Sequence, residues 1–182
     1  MSFTYNIFLK NIVYEVNFTL KFYIMKKLIL SVVITVFALF NLNAQNFNAS
    51  ISAGLPIGDA GDLANFSMLL DVNYLFEVSE DFNVGPNVGY SISFLDKDFD
   101  GDDIQFLPLA AAGRYSVSEE FILGADVGYA VGINDGNDGG FYYCPKIQYN
   151  FDESIGIVAA YRGVSLDGDS FDIISLGVEF GF

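Results

Sequence analysis

Histidine and tryptophan are absent from the 182 residues, cysteine occurs once, and Lys and Arg together number eight. Without histidine there is no Ser-His-Asp or Cys-His nucleophile system and no His-ligated zinc. A lone cysteine, Cys144, excludes an internal disulfide and reads as a small side chain in a strand rather than a reactive thiol. Eight basic residues against 23 acidic ones leave a net charge of -15. Nucleic acid, whose binding draws on a basic stripe that releases counterions, would meet repulsion here. Charge is scarce altogether, at 17% of residues. What is abundant is hydrophobic (52%) and aromatic (16%) side chains, together with 18 glycines. Soluble domains carry about 25% charged residues, so this composition points towards lipid and away from an enzyme.

Met25-Lys26-Lys27, the apolar run Leu28 to Phe40 and the stretch Asn41 to Gln45 follow the order of a secretory signal: basic region, hydrophobic region, cleavage region. The apolar run has 13 residues, with Ser31 and Thr35 inside it, well short of the roughly 20 that a membrane-spanning helix needs. Cleavage is expected after Ala44, although Leu42 stands where a small residue is usual, and no cysteine follows to carry a lipid anchor. A signal of this kind begins at the initiator methionine. Translation is therefore expected to start at Met25, with residues 1–24 an upstream segment foreign to the protein, 25–44 the signal peptide and 45–182 the functional domain. That domain has 138 residues, four of them basic and 22 acidic.

From Asn46 onward no helical period occurs, and apolar residues alternate with small or polar ones. The first segment sets Phe47, Ala49, Ile51, Ala53, Leu55 and Ile57 against Asn48, Ser50, Ser52 and Gly54. The second sets Phe66, Met68, Leu70, Val72, Tyr74, Phe76 and Val78 against Ser67, Asp71, Asn73 and Glu77. The third sets Phe82, Val84, Pro86, Val88, Tyr90, Ile92 and Phe94 against Asn83, Asn87, Ser91 and Ser93. Further segments run over about 104–116, 121–134, 140–151, 155–166 and 171–182. Eight strands of about 11 residues take about 88 of the 138 and leave around 50 for seven connections, with no further domain left over, which suits an antiparallel up-and-down transmembrane barrel. The connections alternate too. Those at 79–81, 118–120 and 152–154 are tight, whereas 58–65, 95–103, 135–139 and 167–170 are Gly- and Asp-rich.

Alternation permits apolar side chains inward, as in a soluble binding barrel, or outward, as in a membrane one. Two features favour outward. The polar face is mostly Gly, Ser, Ala and Asn, whereas a water-facing surface carries roughly 25–35% charged residues. The apolar face has aromatics near strand ends and aliphatics or proline between, as in Phe141, Tyr143, Pro145, Ile147, Tyr149 and Phe151, which is the pattern of an aromatic girdle. This parity turns Asp71, Glu77, Arg114, Asp126, Lys146, Arg162 and Glu179 inward, where the two signs can pair into a salt-bridged plug. Pro86, Pro108 and Pro145 each remove a ladder hydrogen bond, so bulges or irregular strand ends are expected there.

The chain ends with Ser175, Gly177, Phe180 and Phe182 at set spacing. This pattern resembles the C-terminal signal by which outer-membrane barrels are recognised by the barrel-assembly machinery. Residues 46–182 as a whole resemble the small eight-stranded OmpA/OmpX-like outer-membrane barrel family. The resemblance implies secretion through the inner membrane, insertion into the lipid of a Gram-negative outer membrane, a monomer, and no catalytic residues or cofactor. Composition and the end of the signal resemble proteins of the Bacteroidetes group. The loop bearing Asp96, Asp98, Asp100 and Asp102 has the Asp-x-Asp-x-Asp-Gly spacing of calcium loops, but Leu107 stands where a bidentate Glu would close the shell. A solvated acidic tip is the plainer expectation, and calcium the sharper one. An eight-stranded interior is filled by side chains or holds one small ligand. The role expected is thus structural or surface-interacting, with a narrow porin-like conduit and a soluble periplasmic barrel as alternatives.

Overall fold

The structure, a computed structural model, describes residues 47–99 and 101–182. The expected signal peptide, the upstream segment and Asp100 lie outside them. Within these residues the chain forms β1 (Phe47–Ile57), a five-residue helix α1 (Asp59–Leu63), β2 (Ala64–Tyr74), β3 (Phe76–Ser79), β4 (Phe82–Leu95), β5 (Ile104–Ser116), β6 (Phe121–Gly132), β7 (Gly140–Asn150), β8 (Ile155–Ser165) and β9 (Ser170–Gly181). Every pairing is antiparallel. β1 pairs with both β2 and β9, so the sheet closes on itself. β2 and β3 both pair with β4 and form one stave interrupted at Leu75. The result is a closed barrel of eight staves.

The prolines act differently from the expectation. Opposite Pro86, the β4 ladder stops at Asn73↔Asn87 and resumes at Phe76↔Val84 in the same register. Opposite Pro108 it skips from Val88↔Leu109 to Ser91↔Phe106, and opposite Pro145 from Tyr143↔Gly163 to Lys146↔Ala160, again without a shift. Each proline therefore deletes rungs on one side of its strand and inserts no residue. The recorded register shifts fall elsewhere, at Ala64/Phe66 and Glu77/Ser79. Register survives because slipping by one residue would turn every side chain to the wrong face.

Face polarity follows the alternation. The mid-strand aliphatics Val88, Leu109, Val127, Ile147, Ile174 and Leu176 are all exposed on the outside. Aromatic pairs band both ends: Phe47–Phe182, Phe121–Tyr149 and Tyr149–Phe151 at the short-turn end, Phe66–Phe94, Phe141–Tyr143 and Tyr143–Tyr161 at the long-loop end. Water on this surface would leave a continuous apolar belt solvated, far beyond the patches that soluble monomers tolerate. A soluble barrel needs this set inward, and the fold turns it outward.

Candidate functional site

The interior is built in three layers, each set by which inward-facing side chains fall at one height. In the middle layer Asp71, on β2, receives Arg162 from β8 across the lumen through two bonds, Nη2 to Oδ2 at 2.7 Å and Nη1 to Oδ1 at 3.1 Å. Such a fork is the strongest geometry available to a guanidinium and a carboxylate. Arg162 also donates from Nε to the Ser175 hydroxyl (3.1 Å) and from Nη1 to the Tyr142 hydroxyl (3.3 Å). Asp126, on β6, sits between its neighbours on β5 and β7. Arg114 Nη1 reaches its Oδ1 and Lys146 Nζ its Oδ2, both at 2.6 Å. Gly124 makes this three-strand cluster possible, because a Cβ there would lie 2.8 Å from Lys146 Cγ and 2.9 Å from Arg114 Cδ. The Asn87 amide links the two clusters at 3.5 Å from each carboxylate. All five charged side chains are at least nine-tenths buried.

Towards the long loops the lumen is apolar. Leu69, Phe106, Val164, Phe171 and Ile173 are buried there, the rings of Phe106 and Phe171 meeting with centroids 5.6 Å apart. Tyr142 bridges this layer to the ionic one, and Ala60 of α1 joins the same cluster from the loop side. The space left beside Phe106, Phe171 and Tyr142 is about 10 Å³, roughly one water at most. Sequence reasoning assigned small residues to the lumen and missed this layer. The signal was present at Met68-Leu69-Leu70 and Ile173-Ile174, where apolar residues occupy both parities.

Towards the short turns the lumen opens into a polar vestibule of about 160 Å³ whose lining includes Asn48, Asn83, Arg114, Gln148 and Glu179. The barrel is thus blocked by an ionic layer and an apolar layer in series behind an open inner mouth.

Neither a family model nor a curated protein matches the chain in sequence. Solved structures do match in shape. The attachment invasion locus protein Ail of Yersinia pestis superposes with a TM-score of 0.54 at 17% identity, over 75% of this chain and 96% of that one. The N-terminal β-barrel domain of Pseudomonas aeruginosa OprF gives 0.51 at 15% identity, over 76% and 98%. The fold is that of the small OmpA/OmpX-like outer-membrane barrels. A de novo designed transmembrane β-barrel also matches, with a TM-score of 0.50 at 10% identity over 76% of this chain and 96% of that one. A sequence without natural ancestry reaches the same shape, so the likeness speaks of architecture and leaves function to the particular residues.

For this small barrel the predicted residues separate as follows. Asp71, Arg114, Asp126, Lys146 and Arg162 meet in the ionic layer. Glu179 is buried in the vestibule wall and joins no salt bridge among the described residues. Glu77 departs from expectation: it lies on β3, which is exposed along its whole length at the short-turn rim, outside the buried network. Of the terminal pattern, Ser175 is a lumen residue bonded to Arg162, a Cβ on Gly177 would collide with the Ser52 hydroxyl, and Phe180 and Phe182 face outward. In the acidic loop, Asp96 accepts the Asn65 side-chain amide at 2.8 Å and the Asp98 backbone N–H at 3.1 Å. Those bonds, the Asn65 one first, hold its carboxyl below the usual carboxylate range. Asp98 and Asp102 are exposed, and no three acidic side chains among the described residues converge on a point that could hold an ion.

Proposed function

We propose that this protein is an integral barrel of a Gram-negative outer membrane that acts through its long-loop rim, as a structural or surface-interacting protein, and not by conduction or catalysis. The observation that carries this reading is the doubly blocked lumen behind an apolar, aromatic-banded outer wall. Water or ions would have to displace two buried ionic clusters and then pass a layer with room for about one water. On this reading the segment before residue 45 directs secretion, the Ser175-to-Phe182 terminus is the handle for the barrel-assembly machinery, and the barrel works as a monomer. The exposed rim carries Asp59, Asp62, Asp135, Asp138, Asp167 and Asp169, besides the Asp96 to Asp103 loop, against Lys97 alone. Divalent cations, calcium included, would relieve that repulsion by bridging to lipid phosphate.

Outer-membrane fractionation with gel mobility before and after boiling tests the location, because closed barrels resist SDS until heated. A heat-dependent shift in the outer-membrane fraction is expected, and protein in the soluble periplasm would overturn the reading. Planar-bilayer recording separates the closed barrel from a narrow conduit: the folded protein should add no steps of conductance above the bare bilayer, and steady steps would favour the conduit.

A further inference from the structure

The long-loop end carries a groove that neither the blocked lumen nor the apolar belt accounts for. It lies outside the lumen, between the 133–139 and 166–169 loops, and has a volume of about 430 Å³, within the range of small-molecule sites. Two half-exposed rings line it, Tyr129 from β6 and Phe141 from β7. These are direct cross-strand partners, and Phe141 pairs in turn with Ser165 of β8, so the three form one row across adjacent strands, about 10 Å from end to end. A carboxylate stands beyond each end of the row. Asp138 is tied to the Tyr129 end, where the Tyr129 hydroxyl donates to the Asp138 carbonyl at 3.0 Å, and Asp167 follows Ser165 by two residues. Gly139, with φ at 74°, and Gly140 let the loop close against the wall, because a Cβ on either would collide with a backbone carbonyl, that of Ala130 or Ser165. Asp138 and Asp167 are exposed, and neither side chain is engaged in a salt bridge or hydrogen bond among the described residues. The chain has no cation of its own to place there: Arg114, Lys146 and Arg162 are buried in the lumen, and Lys97 belongs to another loop.

We propose that this groove binds a small organic ammonium ion from the surrounding medium, seated on the rings of Tyr129 and Phe141 and held by the negative field of Asp138 and Asp167. Aromatic rings attract a cation through their quadrupole, and they do so best when the cation is weakly hydrated, as an alkylated ammonium is. A divalent metal ion needs several converging oxygens, and no three acidic side chains among the described residues converge. A neutral sugar could lie on the same rings but would leave both carboxylates uncompensated. Asp135 and Asp169, on the same two loops, add to the field that draws a cation in. The inference rests on the reading that the long-loop rim is the working surface and names a ligand for one part of it.

The test is NMR titration of the folded barrel in uncharged maltoside micelles with tetramethylammonium chloride, following the ring signals of Tyr129 and Phe141, with sodium chloride and glucose as comparison probes. Tetramethylammonium should move both rings to saturation, whereas sodium and glucose should leave them in place. Phe141→Leu should weaken binding about two- to fivefold, read from Tyr129, and Asp138→Ser combined with Asp167→Ser should weaken it about tenfold or more. Rings unmoved by tetramethylammonium, equal shifts with sodium, saturation by glucose, or unchanged affinity in the double variant would each overturn the proposal. A titration kept in phosphatidylglycerol nanodiscs but lost in phosphatidylcholine ones would give the groove to a lipid headgroup and overturn the soluble ligand. Because the wild-type comparison of the three probes stands alone, a variant that failed to fold would still leave the proposal decided. Location and closure are read separately by fractionation and conductance, so a failure here would remove the ligand and leave the reading of the barrel standing.

Discussion

Asp126→Asn isolates the ionic layer. Asp126 is wholly buried and serves two cations, Arg114 and Lys146, each at 2.6 Å. At an effective dielectric of about 20 each contact is worth about 6 kcal/mol of Coulomb attraction. Much of that is offset by desolvating three charges, several kcal/mol for each ion. Asparagine keeps the shape and removes the charge, leaving two buried cations without the carboxylate they share. Breaking a buried pair from one side costs about 3–5 kcal/mol, and two orphaned cations put this variant at the upper end. Urea unfolding of the barrel in lipid vesicles, followed by loss of the heat-modifiable band, reads the change directly. Adding Lys146→Met to Asp126→Asn should recover a substantial part of the loss, because one orphaned cation disappears. A single variant within about 1 kcal/mol of wild type would refute the reasoning, since the layer would then be wet enough to screen its charges and could not serve as a plug.

Phe106→Ala removes a buried ring from the apolar layer and should cost about 3–5 kcal/mol in the same unfolding assay; conductance in a planar bilayer should stay absent because the ionic layer remains, and a steady current would place the only barrier in the ring. Pro145→Ala restores a backbone donor where the β7–β8 ladder skips from Tyr143↔Gly163 to Lys146↔Ala160, so it should raise stability by about 0.5–1.5 kcal/mol, and a loss would show that the proline ring is itself needed. Asp96 titrates below the usual carboxylate range because Asn65 and the Asp98 amide stabilise its charged form. A depressed folded value means that the contribution is present above the unfolded value near about 3.9 and is lost as pH falls through the folded one. NMR titration should therefore show Asp96 moving upward in Asn65→Ala, and an unmoved Asp96 would reject that hydrogen bond.

The staves were legible because one side of this sheet had to be apolar throughout, and a period of two carries that demand residue by residue. Asp71, Arg114, Asp126, Lys146 and Arg162 were legible for the same reason: a charge in an alternating strand has only one tolerable side. Glu77 escaped because its stave outruns the wall, and β3 is exposed on both faces. Parity decides burial only where a wall exists on both sides. The apolar layer escaped for the opposite reason. Leu69, Phe106 and Ile173 occupy the inward parity, and alternation counts them as breaks in a pattern when they are a second core stacked on the ionic one. Partner choice is the hardest part to read. Nothing local in the sequence tells that Arg162 crosses to Asp71, 91 residues away, while Arg114 and Lys146 share Asp126.

The unequal treatment of the two buried arginines separates what the fold requires from what it does not. A closed eight-stave barrel needs an apolar outside, small or paired groups inside and a register that holds, and a designed transmembrane barrel reaches the same shape. Arg162 is accounted for by such needs: every one of its nitrogens is engaged and its carboxylate faces it across the lumen. Arg114 is accounted for only in part. Its Nη1 serves Asp126 and the Gly113 carbonyl, but Nε and Nη2 are buried without an acceptor, which costs stability. The Asp71–Arg162 fork is thus the satisfied half of the ionic layer, and the Asp126 cluster is the half that still carries idle donors.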